Sequence, residues 1–131
     1  MQLPTSPQPV LLVLDDDSAV RHSLKFSLEI EGFIVRLFSS AHELLDSDNL
    51  LDADALLVNF DMPEMNGLEL TAKLRDRRIM LPVILMTGDM TETLRHRAAA
   101  AEVSVIEKPF LGTSLVDGIH QTLAARLRFK R

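Results

Sequence analysis

Three short apolar runs limit what this chain can become: Val10–Leu14, Ala55–Val58 and Val83–Met86, each four or five residues with no polar interruption. They are too short for buried helices and too continuous for strands with one wet face. Strands covered on both faces have this appearance. Phe33–Phe38 and Val103–Ile106 read as two further strands. Between the five lie stretches with helical marks. Residues from about Ser18 to Glu31 end at Gly32, a residue suited to a helix exit. Ser40 with Glu43 fits a capping box opening a short helix to about Asp46. Leu68–Arg77, Glu92–Ala101 and Thr113–Arg128 follow, the last with Leu115, Ile119, Leu123 and Leu127 four apart. Five strands alternating with five helices predict an α/β fold, a parallel sheet wrapped on both faces.

The length, 131 residues, suits one domain, expected over residues 10–128. Met1–Pro9 carries three prolines and reads as a flexible lead-in, and residues 129–131 as a basic tail. Arg126, Arg128, Lys130 and Arg131 are read as cations favoured at the end of a helix dipole. The absence of cysteine rules out disulfides, thiolate metal sites and a cysteine nucleophile. Nineteen acids against fourteen bases, with neither Trp nor Tyr, argue against nucleic-acid binding. Ile79–Met86, the longest apolar stretch, is broken by Pro82 and too short to span a bilayer. The N-terminus lacks the marks of a secretory signal. No membrane association and a cytoplasmic location are the expectation.

A doubly wound sheet places its ligand site beyond the carboxyl ends of the strands. The first strand ends in Asp15, Asp16 and Asp17, whose mutual repulsion asks for a cation, a hydrogen-bond network or solvent. Hard oxygens of this kind suit Mg2+; alternatively, the acids cap the following helix. The third strand ends at Asn59 and continues through Asp61 into a turn-rich loop, the fourth ends at Thr87, and Lys108 follows the fifth. Acids, an amide, a hydroxyl and an ammonium on one edge are an inventory for a metal and a phosphoryl group. His22, His42, His96 and His120 have no metal-ligand spacing, and no glycine loop suits a phosphate.

In LLVLDDDSAVR, MPEMNGLEL, VILMTG and VIEKPF, from about Val10 to Leu127, the chain resembles the receiver domain of a bacterial two-component response regulator. The resemblance implies a doubly wound, flavodoxin-like sheet of order 2-1-3-4-5, a Mg2+ site, and phosphorylation on an aspartate. It implies a sensor histidine kinase or phosphotransfer protein as partner, and a possible homodimer through the helix-four, strand-five, helix-five face. By position, Asp15 and Asp16 become the acid pair, Thr87 the switch hydroxyl, and Lys108 the phosphate-pairing lysine, its bond to Pro109 usually cis. Asp61 would offer its backbone carbonyl to the metal.

Two positions depart from that pattern. Asn59 stands where receivers carry the phosphoacceptor aspartate, and an amide cannot form the aspartyl phosphate. Its oxygen can still face a metal, more weakly, so weak Mg2+ binding through Asp15, Asp16 and the Asp61 carbonyl is expected. Val105 replaces the usual switch aromatic. Asn59 is either an engineered Asp→Asn change or the mark of a naturally degenerate receiver; the intact Asp15, Asp16, Thr87 and Lys108 favour the first, Val105 the second. The chain is expected not to be an enzyme. The alternative is a haloacid-dehalogenase-like phosphohydrolase, drawn from the D-x-D in Asp15–Asp17, but that chemistry needs another acidic strand end after the lysine. A last feature lies on the first helix. Val20, Leu24 and Leu28 form its core stripe, while Phe26 and Ile30 fall about 200° away, on the face expected to meet partners.

Overall fold

The computed structural model describes residues 8–110 and 113–129. The lead-in expected over 1–9 and the basic tail over 129–131 therefore lie largely outside the described residues. The elements are β1 (Val10–Leu14), α1 (Ser18–Ile30), β2 (Ile34–Phe38), α2 (Ala41–Leu45), a 3-10 turn (Asp48–Leu51), β3 (Ala55–Asn59), α3 (Gly67–Asp76), β4 (Val83–Thr87), α4 (Glu92–Ala100), β5 (Ser104–Glu107) and α5 (Ser114–Phe129). The five strands form one parallel sheet of order β2-β1-β3-β4-β5.

The period of two along each strand divides the core. Leu12, Leu14, Leu56, Val58, Val83 and Leu85 face α2, α3 and α4, where Leu44, Leu70, Leu74, Leu94 and Ala98 meet them. Leu11, Val13, Leu57, Ile84 and Met86 face α1 and α5, where Leu24, Leu28, Leu115 and Ile119 meet them. Val20 and Leu123 pack against this second layer as the stripes on their helices require.

The boundaries shift where hydrogen bonding overrides apolarity. β5 begins at Ser104 rather than Val103, because the Val103 N–H donates to the Ala98 carbonyl at 3.0 Å and belongs to the exit of α4. Asn66 caps α3 in a full capping box with Glu69, so that helix starts at Gly67. A Cβ at Gly67 would stand 2.6 Å from the Leu85 side chain, so this turn requires glycine to approach the sheet. Gly32 ends α1 at φ 98°, as its position predicts. Ser40 caps α2, but Glu43 returns to the Ser39 N–H, one residue before the cap. Arg126, in the last turn of α5, has a partner outside the helix as well: its Nη1 donates to the Ala53 and Asp54 carbonyls, tying α5 to the entrance of β3.

Candidate functional site

Parallel pairing brings the carboxyl ends of β1, β3, β4 and β5 to one edge. The loops that leave them supply five polar groups. Asp15 is 1% exposed, directly beyond the buried Leu14. Its Oδ1 accepts from the Asp17 N–H at 3.0 Å, and its Oδ2 faces Lys108 Nζ at 3.5 Å. Lys108 is held at the edge by its own N–H, which donates to the Thr87 carbonyl at 2.7 Å; its bond to Pro109 is cis. The same ammonium donates to Asn59 Oδ1 at 3.2 Å. From its other end, Asn59 donates Nδ2–H to the Asp61 carbonyl at 2.9 Å and faces Asp16 Oδ1 at 3.5 Å.

The structure thus brings together Asp15, Asp16, Asn59, the Asp61 carbonyl and Lys108. It turns two other candidates elsewhere. Asp17 caps α1, its Oδ1 accepting from the Ala19 and Val20 N–H groups, so one of the three acids takes the capping role and leaves a pair. Thr87 is buried, and its hydroxyl is engaged with the backbone of Asp89, accepting from its N–H at 3.1 Å and donating to its carbonyl at 3.3 Å. Its hydrogen bonds are therefore local rather than to Asn59 or Lys108. That turn was legible in the Thr-x-Asp spacing. Arg21 was missed as well. Its Nη1 donates to the Asp15 carbonyl at 2.8 Å and steadies the β1 exit from the first turns of α1.

Hydrogen bonds reach both Asp15 oxygens and the Asp61 carbonyl, each of which keeps a further lone pair, and Asp16 is exposed. What opposes the Mg2+ expected on Asp15, Asp16 and the Asp61 carbonyl is the Asn59 NH2 group, which sets a partial positive charge between Asp16 Oδ1 and the Asp61 carbonyl. The arrangement is a closed network of one ammonium, two carboxylates and one amide.

Comparison with known proteins gives this geometry a context. The family model for the response regulator receiver domain matches residues 11–120. The transcriptional regulatory protein FixJ of Rhizobium meliloti (strain 1021) is 35% identical over 111 residues, 83% of this chain and 54% of that protein. The chain spans about half the length of the FixJ relatives it matches. The crystal structure of FixJ-N superposes with a TM-score of 0.80 at 31% identity, covering 91% of this chain and 96% of that one. A CheY-like receiver domain protein from Methanospirillum hungatei JF-1 superposes with a TM-score of 0.81 at 26% identity, covering 93% and 98%.

Proposed function

This chain belongs to the family of response regulator receiver domains, and from that premise we propose that it signals by contact, as a receiver that takes no phosphoryl group. One observation carries the reading: a carboxamide occupies position 59, its oxygen against Lys108 Nζ at 3.2 Å and its nitrogen committed to the Asp61 carbonyl. Forming an acyl phosphate requires a carboxylate oxygen to attack phosphorus while the donor's leaving group departs. An amide nitrogen has its lone pair delocalised, and attack through the amide oxygen would leave a phosphorylated imidate with no stability in water. The neighbours of this position, Asp15, Asp16 and Lys108, support the reading. Lys108 supplies the positive charge, Asp15 and Asp16 form the acid pair, and Thr87 sits within the same edge. These roles follow from the match in position, and the geometry supports them for Asp15, Asp16, Asn59 and Lys108.

Receiver domains work with histidine kinases or phosphotransfer proteins. On this reading the chain occupies such a partner without draining its phosphoryl group. It acts through residues 10–128 as a single receiver unit, with pairing through the α4–β5–α5 face as a further contact. Among the described residues no helix is long and apolar enough to cross a membrane. The phosphohydrolase alternative has no support in the geometry. Its D-x-D would need the Asp17 carboxylate in the site, and that carboxylate caps α1. The further acid that such chemistry needs after the lysine is not supplied by Asp117, which lies on α5 and accepts from Thr113 Oγ1 at 2.7 Å.

Intact mass after incubation with acetyl phosphate and Mg2+ tests the reading. No phosphate is expected on the chain as it stands, and a phosphate mapped to residues 59–61 overturns it.

A further inference from the structure

The orientation of the Asn59 amide is fixed by its neighbours. A backbone carbonyl can only accept and an ammonium can only donate, and these two lie at opposite ends of the side chain, Asp61 O at 2.9 Å and Lys108 Nζ at 3.2 Å. Flipping the amide would set oxygen against oxygen and nitrogen against nitrogen at both contacts. The NH2 group therefore points between the Asp61 carbonyl and Asp16 Oδ1. These two oxygens come from different loops, one leaving β1 and one leaving β3, and a partial positive charge lies between them.

A carboxylate of the same shape at position 59 would reverse that. One of its oxygens would lie at about the amide nitrogen's place, against a carbonyl oxygen and a carboxylate oxygen with no hydrogen between. Such a cluster requires a cation to hold it together. We propose that the Asn59 carboxamide takes the place of that cation: its NH2 group links the β1 and β3 exits, its oxygen links them to Lys108, and the site stays closed without a divalent metal. Asn59 is in this sense a positioning residue. The contacts of Asp15 to the Asp17 N–H and to Lys108, and the locally bonded hydroxyl of Thr87, agree with it, since both side chains have partners inside the fold.

The inference rests on the reading of Asn59 given above, yet the two fail separately. Phosphate on the chain overturns the first; saturable Mg2+ binding without phosphate overturns only the second. Thermal unfolding of the whole chain, in EDTA and in about 10 mM Mg2+, provides the test. The unaltered chain should unfold at the same midpoint in both, within about 1 °C. Asn59→Asp should unfold about 5 °C lower than the unaltered chain in EDTA and regain about 3 °C or more with Mg2+. A midpoint of the unaltered chain that rises with Mg2+ as much as that of the variant overturns the proposal, as does a variant as stable as its parent in EDTA. If Asn59→Asp does not fold in EDTA, a Mg2+ titration of the unaltered chain followed by amide shifts decides. Flat shifts at residues 15–17 and 59–61 support the latch, and saturating shifts there overturn it.

Discussion

The two ends of the sheet are closed by opposite means. At the amino end, arginines donate chiefly to backbone carbonyls, with Asp54 Oδ1 4.0 Å from Arg126 Nη1. Arg75 Nη1 donates to the Ile79 and Leu81 carbonyls at 2.9 and 2.8 Å, and Arg126 Nη1 to the Ala53 and Asp54 carbonyls at 3.1 and 2.9 Å. Burial holds the Arg75 guanidinium below its ordinary pKa, with the Glu102 carboxylate acting in the other direction. Arginine nonetheless stays charged at any working pH, so these clasps are permanent. At the carboxyl end, two carboxylates, an ammonium and an amide face one another, and the balance depends on the identity of one side chain. The first arrangement satisfies carbonyls that the chain itself generates; the second gathers charge that folding alone does not require. Changing a residue should therefore alter stability at either end, but chemistry only at the carboxyl end.

The largest effect expected is chemical. Asn59→Asp should convert a chain that acquires no phosphate into one that is labelled by acetyl phosphate with Mg2+, because Asp15, Asp16 and Lys108 already surround the position. Intact mass with and without Mg2+ reads it directly. An unlabelled variant that is folded would mean that the surrounding groups do not make up a working site, and the contrast between the two ends would lose its chemical half.

Next in size is the amino end. Arg75→Ala leaves two carbonyls without their donor beside the buried Leu81 and should cost about 2 kcal/mol, a fall of roughly 6–10 °C in the midpoint. Arg126→Ala removes a similar pair beside the half-exposed Asp54 and should cost about half as much. Chemical denaturation curves for both, alongside Lys108→Ala, sharpen the comparison. The lysine variant leaves Asp15 buried beside an amide oxygen, and a loss well above that of Arg75→Ala would place the main structural burden at the carboxyl end instead.

How much of this was legible depends on the kind of signal. The unbroken apolar runs marked β1, β3 and β4 because strands covered on both faces leave no room for polar residues. The strand ends marked Asp15, Asp16, Asn59, Thr87 and Lys108, but their separate roles and the sheet order came through the family resemblance, since periodicity carries no information on which strand neighbours which. Positions decided by individual hydrogen bonds were not legible. Val103 is as apolar as any strand residue, yet its N–H closes α4. The spacing of Arg126 suits a helix-end cation, but its target lies on a loop 72 residues away in sequence. The three acids look equivalent in sequence. Only the path of α1 separates Asp17, which caps it, from the pair that remains. For the same reason the direction of the Asn59 amide follows from its neighbours and not from its own identity.

The smallest effect on stability is expected on α1, where sequence and structure agree on an unusual face. Phe26 and Ile30 are 69% and 68% exposed, opposite the buried Leu24 and Leu28, so Phe26 does not fold back over a neighbouring helix. Large apolar side chains that remain in water contribute little to folding, because the unfolded chain exposes them too. Phe26→Ser with Ile30→Ser should therefore move the midpoint by no more than about 2 °C, whereas Leu28→Ala, in the core layer under the same helix, should cost about 3 kcal/mol. If the two residues form a contact face, the double variant should weaken capture by a histidine kinase or phosphotransfer protein, or self-association, with the fold intact. Sedimentation and partner-binding measurements on the folded variant read that loss. A large fall in midpoint with association unchanged would make the pair part of the packing after all. The contact surface would then have to be sought on the α4–β5–α5 face.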